Sequence, residues 1–150
     1  MLKELISNDL INFKYCEDNL ESLFKIVAKD LLDKDLVQPT YFEALVQREK
    51  EYPTGLATQY LNIGLPHTDP DHIKEPFVYI VKNDKKLKHK QMGDNSDMES
   101  QYFFFLGIKK PSDQVGLLSE LMDVFMNEDF VIWFKDSNEE EIKNNIYKKI

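Results

Sequence analysis

Two stretches in the N-terminal third alternate apolar and polar residues with the period of a helix. Residues 18–34 place Asp and Lys side chains opposite an apolar stripe formed by Leu20, Leu23, Phe24, Val27 and Leu31. A second stripe begins after Pro39-Thr40 and consists of Phe42, Leu45 and Val46. Large apolar residues at spacings of three and four form one face of a helix. The pattern therefore predicts helices over residues 18–34 and 40–50.

Shorter apolar runs in the middle of the chain predict strands. These runs cover residues 10–13, 61–65, 76–81 and 101–108. Continuous apolar runs of about four to eight residues are typical of buried strands. The polar tract 82–86 predicts an exposed turn, followed by a short edge strand over residues 87–92 that carries a solvated His89.

The last third of the chain again shows helical periodicity. The helix predicted after Pro111 has one apolar face, formed by Val115, Leu118, Leu121, Met122 and Phe125. Asn127 is predicted to cap a short following helix, and Ser137 with Glu140 matches the capping-box pattern before a terminal helix. Strands flanked by helices at both ends predict an α/β fold, a single domain over residues 1–150 with a mixed β-sheet flanked by helices.

Composition and charge narrow the function classes. The chain has 150 residues, a formal net charge of -8 and one cysteine, Cys16. The acidic balance argues against nucleic acid as a partner, because nucleic-acid binding surfaces are basic. A lone cysteine cannot form an internal disulfide, and no apolar run reaches the roughly 20 residues that span a bilayer. These features predict a cytoplasmic protein with no signal peptide and no direct membrane insertion.

Candidate chemistry is concentrated where two of the three histidines, His67 and His72, lie close together. Prolines near His67 stiffen the backbone there. A neutral imidazole is a competent nucleophile near pH 7, and Thr68, Asp69 or backbone groups could orient the ring. Arg48 could neutralise the oxygens of a phosphoryl group, although a cation near a helix C-terminus also has a purely structural explanation.

The residues alone leave two other interpretations of this segment open. Its histidines and carboxylates are of types that bind zinc or manganese: His67, Asp69, Asp71 and His72. Pro70 interrupts any regular spacing between them, and the segment could equally be a turn without chemistry. Glycine-rich phosphate loops of the GxGxxG or GxxxxGKS/T type are absent, which argues against nucleotide kinase or dehydrogenase activity.

Three short motifs make the chain resemble a known family: RE at 48–49, YPTGL at 52–56 and GLPHTDP at 64–70. They are similar to those of the enzyme IIA component of the bacterial phosphoenolpyruvate-dependent sugar phosphotransferase system, fructose–mannitol type, and most like its galactitol-specific branch. The resemblance extends over nearly the whole chain. It implies a three-layer sandwich, with a mixed β-sheet between helices, and a phosphotransferase that carries phosphoryl groups for sugar transport.

The resemblance also assigns roles to individual residues. It implies that His67 is the phosphoryl acceptor and that Arg48 is its phosphate partner. Gln114 stands where the family often has a second histidine, and it can donate a hydrogen bond but cannot carry a positive charge. Thr68 or Asp69 is expected to set the orientation of the imidazole ring. The full set of supporting residues is Glu49, Thr68 and Asp69, with no metal and no cofactor implied.

The implied partners are proteins of the same system. The phosphoryl group is expected from the phosphocarrier HPr and passes to a cysteine of the cognate enzyme IIB, which acts with the membrane component IIC. The implied function is phosphoryl transfer for uptake and phosphorylation of a galactitol-like sugar or polyol. Two alternatives are a IIA-like domain that senses phosphorylation and regulates a partner, and a metal-dependent hydrolase that uses the cluster from His67 to His72.

Overall fold

A five-stranded mixed sheet lies at the centre of the molecule, and helices cover both of its faces. The computed structural model describes all residues, 1–150. The strands are β1 (Ile6–Tyr15), β2 (Gly55–Ala57), β3 (Asn62–Gly64), β4 (Phe77–Lys90) and β5 (Asp97–Gly107). The helices are α1 (Leu2–Leu5), α2 (Leu20–Asp33), α3 (Tyr41–Glu51), α4 (Pro111–Phe125), α5 (Glu128–Asp136) and α6 (Glu139–Lys149).

The strand order in the sheet is β1-β4-β5-β3-β2. β1 runs parallel to β4 and β3 runs parallel to β5, whereas β4 pairs antiparallel with β5 and β2 with β3. The short strand β3 pairs with β5 only near residues 102 and 103. The chain that leaves β3 therefore follows the remaining part of β5, which fixes the course of the segment that carries His67.

Two separate cores flank the sheet. In β4, Val78 and Ile80 belong to the core beneath α4, α5 and α6, while Tyr79 and Val81 belong to the core beneath α2 and α3. This division follows from the alternation of side chains along a strand. The three layers confirm the predicted α/β class, a mixed β-sheet flanked by helices.

The strand β4 is longer than the sequence pattern predicts. Residues 82–86, expected to form an exposed turn, continue the strand, and only the pairing with β5 is irregular between Lys82 and Leu87. The separate short strand predicted over residues 87–92 is wrong, because residues 87–90 are the end of β4; this end pairs with β5 alone, since the pairing of β4 with β1 stops at Asn83. The prediction of a solvated His89 is also wrong, since this side chain is 8% exposed. Exposed lysines alternate with buried residues at this end of β4, so the buried residues form no continuous apolar run in the sequence.

The C-terminal helices begin with the expected type of cap, but not always at the expected residue. Asn127 caps α5 as predicted, because its side chain accepts a hydrogen bond from an amide of the first turn. The capping box predicted for Ser137 and Glu140 is wrong. Asn138 and Glu141 form it one residue later, with each side chain accepting from the other residue's backbone N–H at 2.9 and 3.1 Å.

The buried face of α4 differs from the predicted one. Leu117, Leu121 and Phe125 face the core, whereas Val115 and Met122 are 71% and 40% exposed. Spacings of four residues align the three buried side chains along one face of the helix, and the two exposed ones lie on its flank. With 15 residues, α4 is also the longest helix.

No helix of the structure has the length and apolar character needed to cross a membrane.

Candidate active site around His67

His67 lies just beyond the end of β3, on backbone held by the neighbouring strand β5. The carbonyl of Pro66 accepts a hydrogen bond from the Leu106 N–H at 2.9 Å. Gly64, the last residue of β3, packs so closely on Phe103 that a Cβ at this position would lie 2.4 Å from the ring. The close packing of β3 on β5 therefore fixes where the histidine leaves the sheet, and its side chain is only 4% exposed.

One backbone contact determines which nitrogen of the neutral His67 ring carries the proton. Nδ1 lies 2.6 Å from the carbonyl oxygen of Leu65. Because a carbonyl oxygen can only accept, Nδ1 carries the hydrogen in this contact. Nε2 keeps its lone pair, which accepts a hydrogen bond from Nη2 of Arg48 at 3.4 Å. The ring therefore presents its nucleophilic nitrogen beside a guanidinium group.

Arg48 is held next to the ring by its own neighbours in the chain. It lies in the last turn of α3, and its Nη1 donates to the carbonyl oxygen of Tyr52 at 2.6 Å. The guanidinium also lies over the Tyr52 ring, with Cζ 4.9 Å from the ring centroid. None of the ion pairs in the structure includes Arg48. Its charge is therefore positioned but not paired with a carboxylate, which suits the binding of an anionic group.

The protonation state of His67 follows from its surroundings. Burial lowers the pKa of His67 below its ordinary value of 6.5, and the positive charge of Arg48 acts in the same direction. The hydrogen bond to Leu65 and the negative charge of Asp69 oppose this lowering of the pKa. The lowering causes prevail, so the ring is neutral at pH 7. Only the neutral ring has a nitrogen lone pair available for nucleophilic attack.

His67 and Arg48 border a cavity of about 470 Å³. The segment after α3, the turn between β4 and β5, and the first part of α4 supply the remaining walls. Side chains lining the cavity include Tyr52, Thr54, Met92, Asn95, Gln114 and Leu118. The structure thus brings Gln114 to the same cavity as His67 and Arg48, although no hydrogen bond joins Gln114 to either of them.

Among the cavity residues that sequence reasoning did not place beside His67 are Asn95 and Leu118. The turn that contains Asn95 could be predicted, and Gly93 and Asn95 do have positive φ angles of 90° and 58°. Its position beside His67 has no local signal. The turn is held there because the N–H of Met92 donates to the carbonyl of Gly55 at 2.7 Å, a contact between distant parts of the chain.

Thr68 and Asp69 do not orient the ring of His67 as expected. Thr68 is buried, and its hydroxyl donates to the carbonyl oxygen of Asp69 at 2.9 Å. The Asp69 side chain is exposed and acts on His67 only through its charge. The carbonyl of Leu65 fixes the ring instead, because the turn after β3 brings Nδ1 back over the backbone two residues earlier.

Glu49 lies next to Arg48 in α3 but makes its contacts elsewhere. Its two carboxylate oxygens accept hydrogen bonds from the backbone N–H of Thr54 at 2.7 Å and from the Thr54 hydroxyl at 2.6 Å. Burial raises the pKa of Glu49, while the Thr54 hydrogen bonds and the charge of Arg48 oppose the rise. Glu49 therefore contacts the segment that lines the cavity, and its supporting role stays a prediction.

His72 is separate from the cavity. Its Nδ1 lies 2.8 Å from the hydroxyl oxygen of Thr40, at the beginning of α3. The structure contains no group of three or more His, Cys, Asp or Glu side chains arranged to hold a metal ion. The metal interpretation of the segment from His67 to His72 thus has no geometric support.

Solved structures show which class of protein has this fold. Mannitol IIA from Escherichia coli aligns with a TM-score of 0.65 at 17% identity, over 83% of this chain and 85% of that one. A putative phosphotransferase-system IIA domain from Streptococcus pyogenes M1 GAS gives 0.73 at 15% identity, over 99% and 96%. The Escherichia coli complex of enzyme IIAMTL with phosphorylated enzyme IIBMTL gives 0.71 at 17% identity, over 92% and 94%. The fold is that of phosphotransferase-system IIA domains.

Sequence comparison then identifies the family. The model for the phosphoenolpyruvate-dependent sugar phosphotransferase system, EIIA 2, matches residues 4–149, and the chain belongs to this family. The galactitol-specific EIIA component of Escherichia coli K12 is 29% identical over 105 residues, 70% of each chain. Components of this family are phosphoryl carriers, so the chain is a phosphotransferase. The resemblance found in the three sequence motifs is confirmed.

Proposed function

We propose that this protein accepts a phosphoryl group from phospho-HPr on Nε2 of His67 and passes it to a cysteine of an enzyme IIB. One observation carries the proposal. The Leu65 carbonyl holds Nδ1 of His67, so that the Nε2 lone pair lies beside Arg48 at the border of an open cavity. A nucleophile with an unpaired cation next to it is what phosphoryl transfer between carriers requires.

In the first transfer, the Nε2 lone pair forms a bond to phosphorus while the bond between phosphorus and the donor nitrogen of phospho-HPr breaks. The electron pair of that bond remains on the donor. The proton on Nδ1 stays in its hydrogen bond to Leu65, which stabilises the ring as it loses electron density. In the second transfer, a thiolate of enzyme IIB attacks phosphorus and Nε2 recovers its electron pair.

Arg48 stabilises the charge that develops on the phosphoryl oxygens, because its guanidinium is held by Tyr52 and needs little rearrangement. Gln114 borders the same cavity and can donate one amide hydrogen bond to a phosphoryl oxygen. Arg48 thus acts by its charge and Gln114 by a neutral hydrogen bond, and both help to position the phosphoryl group, in line with the dominance of positioning and charge stabilisation in phosphoryl transfer.

The relatives support a place for this protein in sugar or polyol uptake. The curated relative is named as galactitol-specific, and one structural neighbour is a complex with phosphorylated enzyme IIB. We propose a galactitol-like sugar or polyol as the transported substrate, an enzyme IIB as the direct recipient and a membrane IIC as the indirect one. With these partners, the proposed location of the protein is the cytoplasm.

Intact-mass measurement at neutral pH tests the phosphoryl acceptor. The protein is incubated with phosphoenolpyruvate, enzyme I and HPr, and we expect it to gain the mass of one phosphoryl group. His67→Ala should gain none, whereas the matched control His72→Ala should gain the same mass as wild type, since His72 lies outside the cavity. Equal phosphorylation of His67→Ala and wild type would contradict the proposal.

Transfer onward tests the second half of the proposal. Phosphorylated protein mixed with a galactitol-type enzyme IIB should lose its phosphoryl group as the cysteine of enzyme IIB gains it. A phosphoryl group that stays on His67 with several enzymes IIB would favour the phosphorylation-sensing alternative. That alternative has the support of one fold neighbour, the nitrogen regulatory protein IIA-Ntr from Neisseria meningitidis, with a TM-score of 0.69 at 18% identity.

A further inference from the structure

Glu49 binds one residue with both of its carboxylate oxygens. One oxygen accepts from the backbone N–H of Thr54 and the other from the Thr54 hydroxyl, at 2.7 and 2.6 Å. The Thr54 side chain is 2% exposed, so the two hydrogen bonds are shielded from water. Two hydrogen bonds from one residue to the same planar group fix both the position and the orientation of that residue. Glu49 therefore fixes the position of Thr54 relative to α3.

Thr54 is linked to His67 by two further hydrogen bonds. The carbonyl of Thr54 accepts from the N–H of Leu65 at 3.1 Å. The carbonyl of the same Leu65 accepts from Nδ1 of His67 at 2.6 Å. Leu65, whose carbonyl fixes the tautomer of the histidine, is thus itself held through its N–H by Thr54, and through Thr54 by Glu49.

The segment that ends at Thr54 also holds the guanidinium of Arg48 in place. Tyr52, two residues before Thr54, accepts from Nη1 of Arg48 through its carbonyl at 2.6 Å. Its N–H donates to the carbonyl of Arg48 at 2.8 Å, which ends α3. Residues 52–54 therefore contact Arg48 at one end and, through Leu65, His67 at the other.

We propose that Glu49 is a positioning residue, whose hydrogen bonds to Thr54 set the positions of both Arg48 and the Leu65 carbonyl relative to His67. This inference rests on the proposed role of His67 as phosphoryl acceptor. Glu49 acts through geometry and not through its charge. An amide at position 49 can make both contacts, since its oxygen accepts from the Thr54 N–H and its nitrogen donates to the Thr54 hydroxyl.

The test compares Glu49→Ala, which removes both contacts, with Glu49→Gln, which keeps them without the charge. Glu43→Ala is the matched control, because Glu43 is an exposed carboxylate on the same helix. The rate of phosphorylation by phospho-HPr and the ¹⁵N NMR shifts of the His67 ring are measured for each variant. We expect Glu49→Ala to lower the rate by about tenfold to a hundredfold, the range typical of a displaced catalytic group, and to reduce the population of the Nδ1–H tautomer. Glu49→Gln and Glu43→Ala should stay within about threefold of wild type.

Thr54 variants provide a second, milder test if Glu49→Ala does not fold. Thr54→Val removes only the hydroxyl and should lower the rate and shift the tautomer in the same direction, while Thr54→Ser should restore both. A loss in Glu49→Gln as large as in Glu49→Ala, with the tautomer unchanged, would show that charge matters and overturn the inference. Wild-type rate and tautomer in Thr54→Val would also overturn it. If wild type accepts no phosphoryl group, the proposed function fails, and the NMR measurement still decides whether Glu49 sets the tautomer.

Discussion

His67 and His89 are both buried against the same sheet, yet their surroundings differ. The side chains are 4% and 8% exposed, and burial lowers the pKa of both, that of His89 to about 4. Nε2 of His89 lies 2.7 Å from the Ser100 hydroxyl, and its ring centroid is 5.5 Å from that of Phe103. His67 uses a backbone carbonyl for Nδ1 and leaves Nε2 beside Arg48.

The comparison shows that burial and a lowered pKa do not identify a functional histidine by themselves. Burial lowers the pKa of His89 to about 4, but no cation lies next to its ring within hydrogen-bond distance. His67 combines a neutral ring, an unprotonated Nε2 that faces a guanidinium, and the lack of a carboxylate paired with that guanidinium, at the border of one cavity. A perturbed pKa is therefore informative only together with the chemistry of the neighbouring groups.

The largest effect is expected from the cation that distinguishes His67 from His89. Arg48→Ala should lower the rate of phosphorylation by phospho-HPr about 100- to 1,000-fold, the usual result of removing a preorganised charge-stabilising donor. The phosphorylation rate of Arg48→Lys should lie between those of wild type and Arg48→Ala. Lysine keeps the positive charge, but it lacks the forked guanidinium that can bind the Tyr52 carbonyl and a phosphoryl oxygen together. Rapid-quench measurement of phosphorylated protein gives the rates.

Lys50→Ala is the control for the Arg48 variants, since Lys50 is an exposed cation on the same helix and contributes nothing to the cavity at His67. It should leave the rate within about twofold of wild type. An Arg48→Ala rate equal to that of Lys50→Ala would mean that His67, like His89, has no need of a neighbouring cation.

The pH dependence of stability should reveal His89. The pKa of His89 is about 4 in the folded protein, below the ordinary 6.5. Between these values the unfolded chain binds the additional proton, so the free energy of unfolding falls as the pH drops from 6.5 towards 4 and is unaffected by His89 above this range. The full difference is on the order of 3 kcal/mol. Urea unfolding at several pH values measures it.

His89→Gln isolates this contribution from that of titrating carboxylates. Glutamine can still bond to Ser100 but does not titrate, so the variant should lose less stability than wild type between pH 6.5 and 4. It should also accept phosphoryl groups at the wild-type rate. Parallel pH curves for the two proteins would show that burial of His89 does not lower its pKa.

Gly55 connects the two regions, because it pairs with Gly64 in β2–β3 and packs against the strand end that carries His89. A Cβ at Gly55 would lie 2.4 Å from the Lys90 carbonyl oxygen and 2.9 Å from Cε1 of His89. Gly55→Ala should therefore reduce the free energy of unfolding by about 1–3 kcal/mol, the cost of overpacking. Denaturant unfolding measures the change.

The same substitution at Gly116 is the matched control. A Cβ there meets nothing closer than a Met1 methyl at 3.8 Å, and the residue lies within α4. Gly116→Ala should increase the free energy of unfolding by roughly 0.5–1 kcal/mol through helix propensity. A Gly55→Ala protein as stable as wild type would show that β2 can move away from His89 without cost.

The smallest effect is expected at Gln114. This side chain borders the cavity without bonding to His67 or Arg48, and a neutral hydrogen bond contributes about 0.5–1.5 kcal/mol. Gln114→Ala should lower the phosphorylation rate about two- to tenfold, and Gln114→His should restore or exceed the wild-type rate. A loss in Gln114→Ala as large as that in Arg48→Ala would make the amide a principal phosphoryl ligand.

Local patterns predicted much of the fold correctly. The stripe of α2 and the Phe-rich strand β5 were predictable because each has one strong periodicity over its whole length. The region from residue 82 to residue 90 was not, since a central strand with one exposed end alternates lysines with buried Leu87 and His89. The prediction of the buried face of α4 was wrong because Val115 and Met122 are apolar but lie outside the core.

The candidate site was likewise predicted only in part. The motif residues His67, Arg48 and Gln114 were selected from the sequence, and the structure places all three at one cavity. The sequence left Thr68, Asp69 and backbone groups as candidates for orienting the ring, and it could not single out the carbonyl of Leu65, because a carbonyl is present at every residue.

By itself, the sequence determined the class of elements, the family resemblance and the histidine and arginine that are candidates for phosphoryl transfer. Only the tertiary structure decided that Nε2 is the unprotonated nitrogen, that it lies 3.4 Å from the guanidinium and that Glu49 contacts Thr54 and not Arg48. The physical reason is that periodicity records which side of an element is buried. Distances between groups depend on the register of β3 with β5 and on the path of residues 52–54, which many separate contacts determine together.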